Sequence, residues 1–151
     1  MSEELWRLSA TELHRRYRER SLTPLEVAQD CLARLEAVNP RINAVIARRD
    51  REFLAEAQAS TQRHTDSRPL SAIDGIPLTV KDSLYTADLP TSWGCRALRT
   101  HATGQDELSV GRARAAGGGR RVVRHVAGVG RDGRPRPGDH AGRDAPGPPQ
   151  P

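Results

Sequence analysis

Apolar residues in the first third of the chain recur at helical spacing. Ala28, Cys31, Leu32, Leu35 and Val38 fall on one face of a helix. Just upstream, Thr23-Pro24-Leu25-Glu26 has capping-box spacing, with proline at the first helical position, where its missing amide hydrogen costs nothing. Ser9-Ala10-Thr11-Glu12 has the same spacing, so a helical hairpin is expected over 9–38, its second helix ending near Asn39-Pro40. The run Ile42-Asn43-Ala44-Val45-Ile46-Ala47 reads as a short buried strand, although periodicity alone also admits a helix. Asp50 to Arg63 is helical in pattern, with Phe53, Leu54 and Ala57 on one side, and Ile76 to Val80 reads as another strand. This strand-helix-strand unit over 42–81 indicates an α/β fold with a crossover connection, right-handed if the strands are parallel. The segment 84–98 is rich in turn residues, and a helix is expected over 106–116, with Gly111 in its interior costing about 1 kcal/mol relative to alanine. The pattern ends after Gly117.

Composition divides the chain at the same point. All five aromatic residues of the Phe, Trp and Tyr type, namely Trp6, Tyr17, Phe53, Tyr85 and Trp93, precede residue 118. Any packed core therefore lies in 1–117. Residues 118–151 hold seven arginines against three aspartates and supply most of the net charge of +5. With eight glycines and six prolines they have too few large apolar groups to offset the entropy of ordering, so a disordered tail is expected. No fixed repeat period supports a collagen-like reading.

Candidate chemistry begins at Lys81, the only lysine in a chain that otherwise draws its positive charge from 23 arginines. A lysine amine can be neutralised by burial and neighbouring charge and can then move protons, whereas arginine stays protonated. Lys81 stands at the C-terminal end of the expected second strand, where α/β sheets place their ligands. The plain alternative is a strand-end lysine reaching for solvent. His14, His64, His101, His125 and His140 are scattered without ligand spacing and read as surface residues, so neither a metal nor a cofactor is expected. Cys31 reads as a small buried hydrophobe, and with Cys95 it makes neither a metal pattern nor a disulfide framework. The acidic start Met1-Ser2-Glu3-Glu4 is unlike a signal peptide, and no segment approaches the ~20 apolar residues of a membrane helix. A soluble, cytoplasmic protein without a membrane partner is expected.

Four segments in order carry a family resemblance: Val38-Asn39-Pro40-Arg41-Ile42-Asn43-Ala44-Val45, Gly75-Ile76-Pro77-Leu78-Thr79-Val80-Lys81-Asp82, Leu89-Pro90-Thr91-Ser92, and Arg112 to Gly117. Together they resemble the N-terminal portion of the amidase signature family, whose members include bacterial amidases and the A subunit of glutamyl-tRNA amidotransferase. The resemblance implies an α/β/α sandwich around a mixed sheet, hydrolysis of the C–N bond of small carboxamides, and a Ser-Ser-Lys triad. It places the triad lysine at Lys81, whose amine would exchange protons through a middle serine, held by a cis peptide bond, with a nucleophilic serine. A serine hydroxyl needs such a base to become an effective nucleophile.

The chain departs from that family downstream. The two triad serines belong to a Gly/Ser-rich region well beyond the lysine, yet Ser109 is the last serine or threonine here. Ser71, Ser83 and Ser92 lie nearer to Lys81, but none sits in a nucleophile elbow or a glycine-rich loop. The expectation is a truncated, inactive product of a reading-frame change near Gly117, because shifted frames of GC-rich genes yield Arg, Gly, Pro and Ala. Two other readings are a non-catalytic protein binding nucleic acid or another polyanion nonspecifically through the Arg-rich tail, and a subunit completed by a separate C-terminal chain.

Overall fold

The computed structural model describes residues 4–121. After a 3₁₀ turn at Leu5–Arg7 come helices α1 (Ala10–Arg18), α2 (Pro24–Ile42) and α3 (Asp50–Thr65), then strand β1 (Pro77–Thr79). A second 3₁₀ turn at Arg96–Leu98, helix α4 (Leu108–Ala115) and strand β2 (Gly119–Arg121) follow. The described residues are thus mostly helical. Their two strands pair in parallel, with Pro77, Leu78 and Thr79 opposite Gly119, Arg120 and Arg121.

The start of α2 has its full capping box: the Thr23 hydroxyl accepts from the Glu26 amide, and the Glu26 carboxylate accepts from the Thr23 amide at 2.8 Å. The start of α1 has half of one. Ser9 accepts from the Glu12 amide at 3.2 Å, but the Glu12 carboxylate turns to Arg15 and Arg16. Those two guanidinium groups push the Glu12 carboxyl down to about 2. Charge-assisted pairing along the helix wins over the bond back to the cap.

Helix α2 feeds two apolar clusters. Val27, fully buried, and the partly buried Cys31 join Leu13 and Tyr17 of α1 with Leu22 and Ile76. Ala28 and Leu32 meet Phe53 and Ala57 of α3. One helix therefore ties the N-terminal hairpin to the segment that leads into β1.

Several expectations need correction. The strand expected over 42–47 does not form, and α2 runs past Pro40 to Ile42 before Asn43 ends it in the left-handed region at φ 44°. Asn39 explains the difference: its side chain donates to the Val45 carbonyl at 2.9 Å and accepts from the Val45 amide at 2.8 Å. A backbone unit satisfied in this way needs no neighbouring strand. The crossover between parallel strands is instead made by α4, between β1 and β2.

That helix is shorter than the 106–116 expected, because the Asp106 carboxylate is already engaged by the Ala87 amide and Arg114, both at 2.8 Å. A Cβ added at Gly111 would meet only the Asp106 side chain, at an ordinary 3.7 Å. Gly111→Ala is therefore expected to stabilise the chain by about 0.5–1 kcal/mol, read as a higher urea midpoint at unchanged slope. Residues 119–121, expected to belong to the tail, form β2. The remainder of the expected disordered tail, with His125 and His140, lies outside the described residues.

Candidate active site

The approach to β1 is held by a buried carboxylate. Asp74, 1% exposed, accepts from the Ser60 hydroxyl at 2.8 Å, from the Arg63 guanidinium at 2.6 and 2.8 Å, and from the Leu70 amide at 2.9 Å. Burial alone would raise its carboxyl, but Arg63, the Leu70 amide and Ser60 together hold it below the ordinary aspartate value. The carbonyl of Asp74 lies 3.1 Å from His64 Nε2, which places the proton on that nitrogen. His64 is buried, correcting its reading as a surface residue, and its ring tilts against Tyr17 at 5.2 Å. Of the other histidines described, His101 is exposed and His14 half-buried.

Glycine is required beside this carboxylate. Gly75, at φ +79°, would place a Cβ 2.5 Å from the Ser60 hydroxyl oxygen and 2.6 Å from Pro24. Gly117, at φ +82°, would place one 2.5 Å from the Asp74 carboxylate. The Gly75 amide donates to the Gly117 carbonyl at 2.9 Å, so the start of β1 and the turn leading into β2 are clamped together.

Lys81 lies two residues beyond the end of β1, on the chain leaving the C-terminal end of the strand. Its side chain is exposed, and its amine makes no hydrogen bond or ion pair with the described residues. Its carbonyl accepts from the Leu84 amide at 2.9 Å, which turns the chain at once. Among the described residues, no serine comes into hydrogen-bond contact with the amine. Ser92 is buried and donates its hydroxyl to Asp82 at 2.6 Å, Ser71 donates to the Ala116 carbonyl at 2.6 Å, and Ser83 is half-buried in the turn. Among the described residues, the amine of Lys81 therefore has no serine as a hydrogen-bond partner.

The neighbour of Lys81 has the more elaborate environment. Asp82 is 5% exposed, and its carboxylate accepts from the Ser92 amide at 2.7 Å, the Ser92 hydroxyl at 2.6 Å and the Gly94 amide at 3.0 Å. Downstream, the Thr91 amide donates to the His101 carbonyl at 2.9 Å and the Glu107 amide to the Tyr85 carbonyl at 2.9 Å. Asp88 pairs with Arg49 at the start of α3 and lies 3.5 Å from Arg114 of α4. An irregular segment of some 25 residues is thus stiffened by carboxylates and carbonyls rather than by a ladder. Sequence reasoning missed Asp82, because a buried carboxylate next to an exposed lysine leaves no periodic trace. The available signal was Ser92 and Gly94 in a turn-rich segment that needed an acceptor.

No group of three or more His, Cys, Asp or Glu residues among the described residues could hold a metal ion. Cys31 is half-buried against the first apolar cluster, and Cys95 is exposed. No helix among the described residues is long and apolar enough to cross a membrane.

Comparison with known proteins matches this framework. The chain is 34% identical over 112 residues to an acylamidase of Rhodococcus erythropolis, covering 74% of this chain and 23% of that protein. It is 33% identical over 114 residues to the A subunit of the glutamyl-tRNA(Gln) amidotransferase of Chloroflexus aggregans, covering 76% and 23%. Among solved structures, the native peptide amidase of Stenotrophomonas maltophilia superposes with a TM-score of 0.70 at 30% identity, over 79% of this chain and 24% of that one. The chain thus spans about a quarter of the length of the relatives it matches. The Amidase family model matches residues 26–119, more than half of the chain. The chain belongs to the amidase family, of whose members it represents an N-terminal portion.

Proposed function

We propose that this chain is the lysine-bearing portion of a hydrolase that cleaves the C–N bond of small carboxamides, and that alone it is inactive. Lys81 is the base of a Ser-Ser-Lys triad whose two serines the chain lacks. The observation that carries this reading is the position of Lys81. It lies just past the C-terminal end of a parallel strand, inside the family-matched segment, on a loop fixed by the buried Asp82. A base needs a nucleophile within hydrogen-bond reach, and the serines near Lys81 are absorbed into structural bonds or lie apart from its amine.

In this reading a reading-frame change near Gly117 replaced the rest of an α/β/α sandwich. The family match ends at residue 119, although the chain continues to 151, and no serine or threonine follows Ser109. The protein works in the cytoplasm and uses neither metal nor cofactor. The test is to join residues 1–117 to the continuation encoded in the shifted frame and assay carboxamide hydrolysis. Activity in the joined protein and none in the native chain supports the proposal; hydrolysis by the native chain alone sinks it.

Two observations also fit a second reading, in which a separate C-terminal chain completes the enzyme. A parallel pair of three-residue strands is a fragment of a sheet, since parallel sheets are ordinarily extended and covered on both faces. Thr91 Oγ1 is also buried without a hydrogen-bond partner among the described residues, at a cost of about 1–3 kcal/mol. Co-expression with the downstream frame as a separate polypeptide separates the two readings, because only the second predicts hydrolysis without covalent joining.

A further inference from the structure

Trp93 adopts a conformation that packing does not explain. Its φ of +48° lies in the left-handed region, which costs a bulky L-residue roughly 1–2 kcal/mol. The residues on either side of it are tied to Asp82: the Ser92 amide and hydroxyl and the Gly94 amide all donate to that carboxylate. A buried anchor therefore imposes the turn on Trp93. The strain does not bury the indole, which stays 40% exposed and belongs to neither apolar cluster.

The indole has aromatic company. Tyr85 meets it edge-on, with ring centroids 5.6 Å apart and planes at 89°, and His101 lies at 5.9 Å with planes at 33°. The Thr91 amide and the His101 carbonyl, bonded at 2.9 Å, hold the His101 side of this arrangement. The same carboxylate that fixes Trp93 belongs to the residue directly following Lys81. Strained backbone around an exposed side chain is the pattern of a functional contact rather than of a core residue.

We propose that Trp93, supported by Tyr85 and His101, is a specificity-determining shelf that takes the planar aromatic part of a carboxamide substrate. Its placement beside the reacting amide rests on the assignment of Lys81 above. An exposed indole offers a flat, polarisable face to an aryl ring, in the offset or edge-to-face geometries that aromatic pairs prefer. Asp82 acts as a positioning residue, since it holds the backbone of the shelf and touches no substrate.

The test uses the native chain labelled with nitrogen-15 and reads the indole N–H resonances of its two tryptophans during titration with benzamide. Trp6 is the internal reference, because Arg7 and Arg34 each stack on its ring at 4.5 Å. The Trp93 resonance is expected to shift saturably with benzamide and not with acetamide, while Trp6 stays in place. Trp93→Leu should remove the response, and Lys81→Ala should retain it. Retention keeps the shelf even if the lysine assignment fails. Absence of a selective Trp93 shift, equal movement of both indoles, or an equal response to acetamide overturns the proposal.

Discussion

Asp74→Ala is expected to lower the stability of the chain by about 3 kcal/mol, the lower end of the range for removing one partner of a buried ion pair. The lower end applies because Arg63 keeps 29% of its side chain in solvent while Asp74 has none. The substitution leaves the guanidinium without its carboxylate and strips the Ser60 hydroxyl and the Leu70 amide of their acceptor. It also empties the space beside Gly117, so the clamp between the start of β1 and the turn before β2 should loosen first. Urea denaturation measures the total, and amide exchange at Gly75 measures the local part. Asp74→Asn keeps the shape but loses the charge-assisted bonds, and its loss should fall between the native chain and alanine.

The same residue sets an acid limit. Its folded carboxyl titrates below the ordinary aspartate value of 3.8, so its stabilisation is fully present above that value. It is lost as the pH falls through the ordinary value toward the lower folded one. A denaturation series below pH 4 should show a steep decline in the native chain and a shallower one in Asp74→Asn. Equal slopes would remove Asp74 as the cause.

The second large effect concerns Lys81. In a protein joined to an in-frame continuation, Lys81→Ala should reduce carboxamide hydrolysis by at least about 10³-fold, within the range that positioned proton transfer contributes. Lys81→Arg should be equally inactive, because a guanidinium keeps its proton and cannot act as the base. In the native chain, circular dichroism and urea midpoints should not change in either variant, since the Lys81 side chain is exposed. If the chain alone is inactive, as proposed, neither substitution should alter its hydrolysis rate. A joined Lys81→Arg enzyme with near-normal turnover would show that the lysine serves as a charge and not as a base.

What the sequence discloses here depends on how local each signal is. The cap at Thr23 and the face Ala28, Leu32 and Leu35 are legible because every interaction lies within one helix. Ile42 to Ala47 misleads because the amide and carbonyl of Val45 at its centre are satisfied by the Asn39 side chain, six residues away, which no periodicity includes. Gly119 to Arg121 carries no strand signature in its composition, and pairing with β1 alone makes it a strand. At the site, Lys81 is visible as the single lysine at a strand end, whereas Asp82 is not. Its importance comes from the burial of a carboxylate against amides ten and twelve residues away. His64 belongs to the same class, a side chain whose role is fixed by a distant carbonyl.

Under the proposal above, this chain carries the lysine of an amidase whose serines were lost at a change of reading frame. The most direct measurement is to resequence the gene across the codons for Gly111 to Arg124 and translate the two other frames downstream. One of them should continue into an apolar strand and then a Gly/Ser-rich loop holding two serines. A verified, uninterrupted frame, with neither alternative encoding such a segment, would contradict it and make the Arg-rich tail a genuine part of a non-catalytic protein with an amidase-derived head.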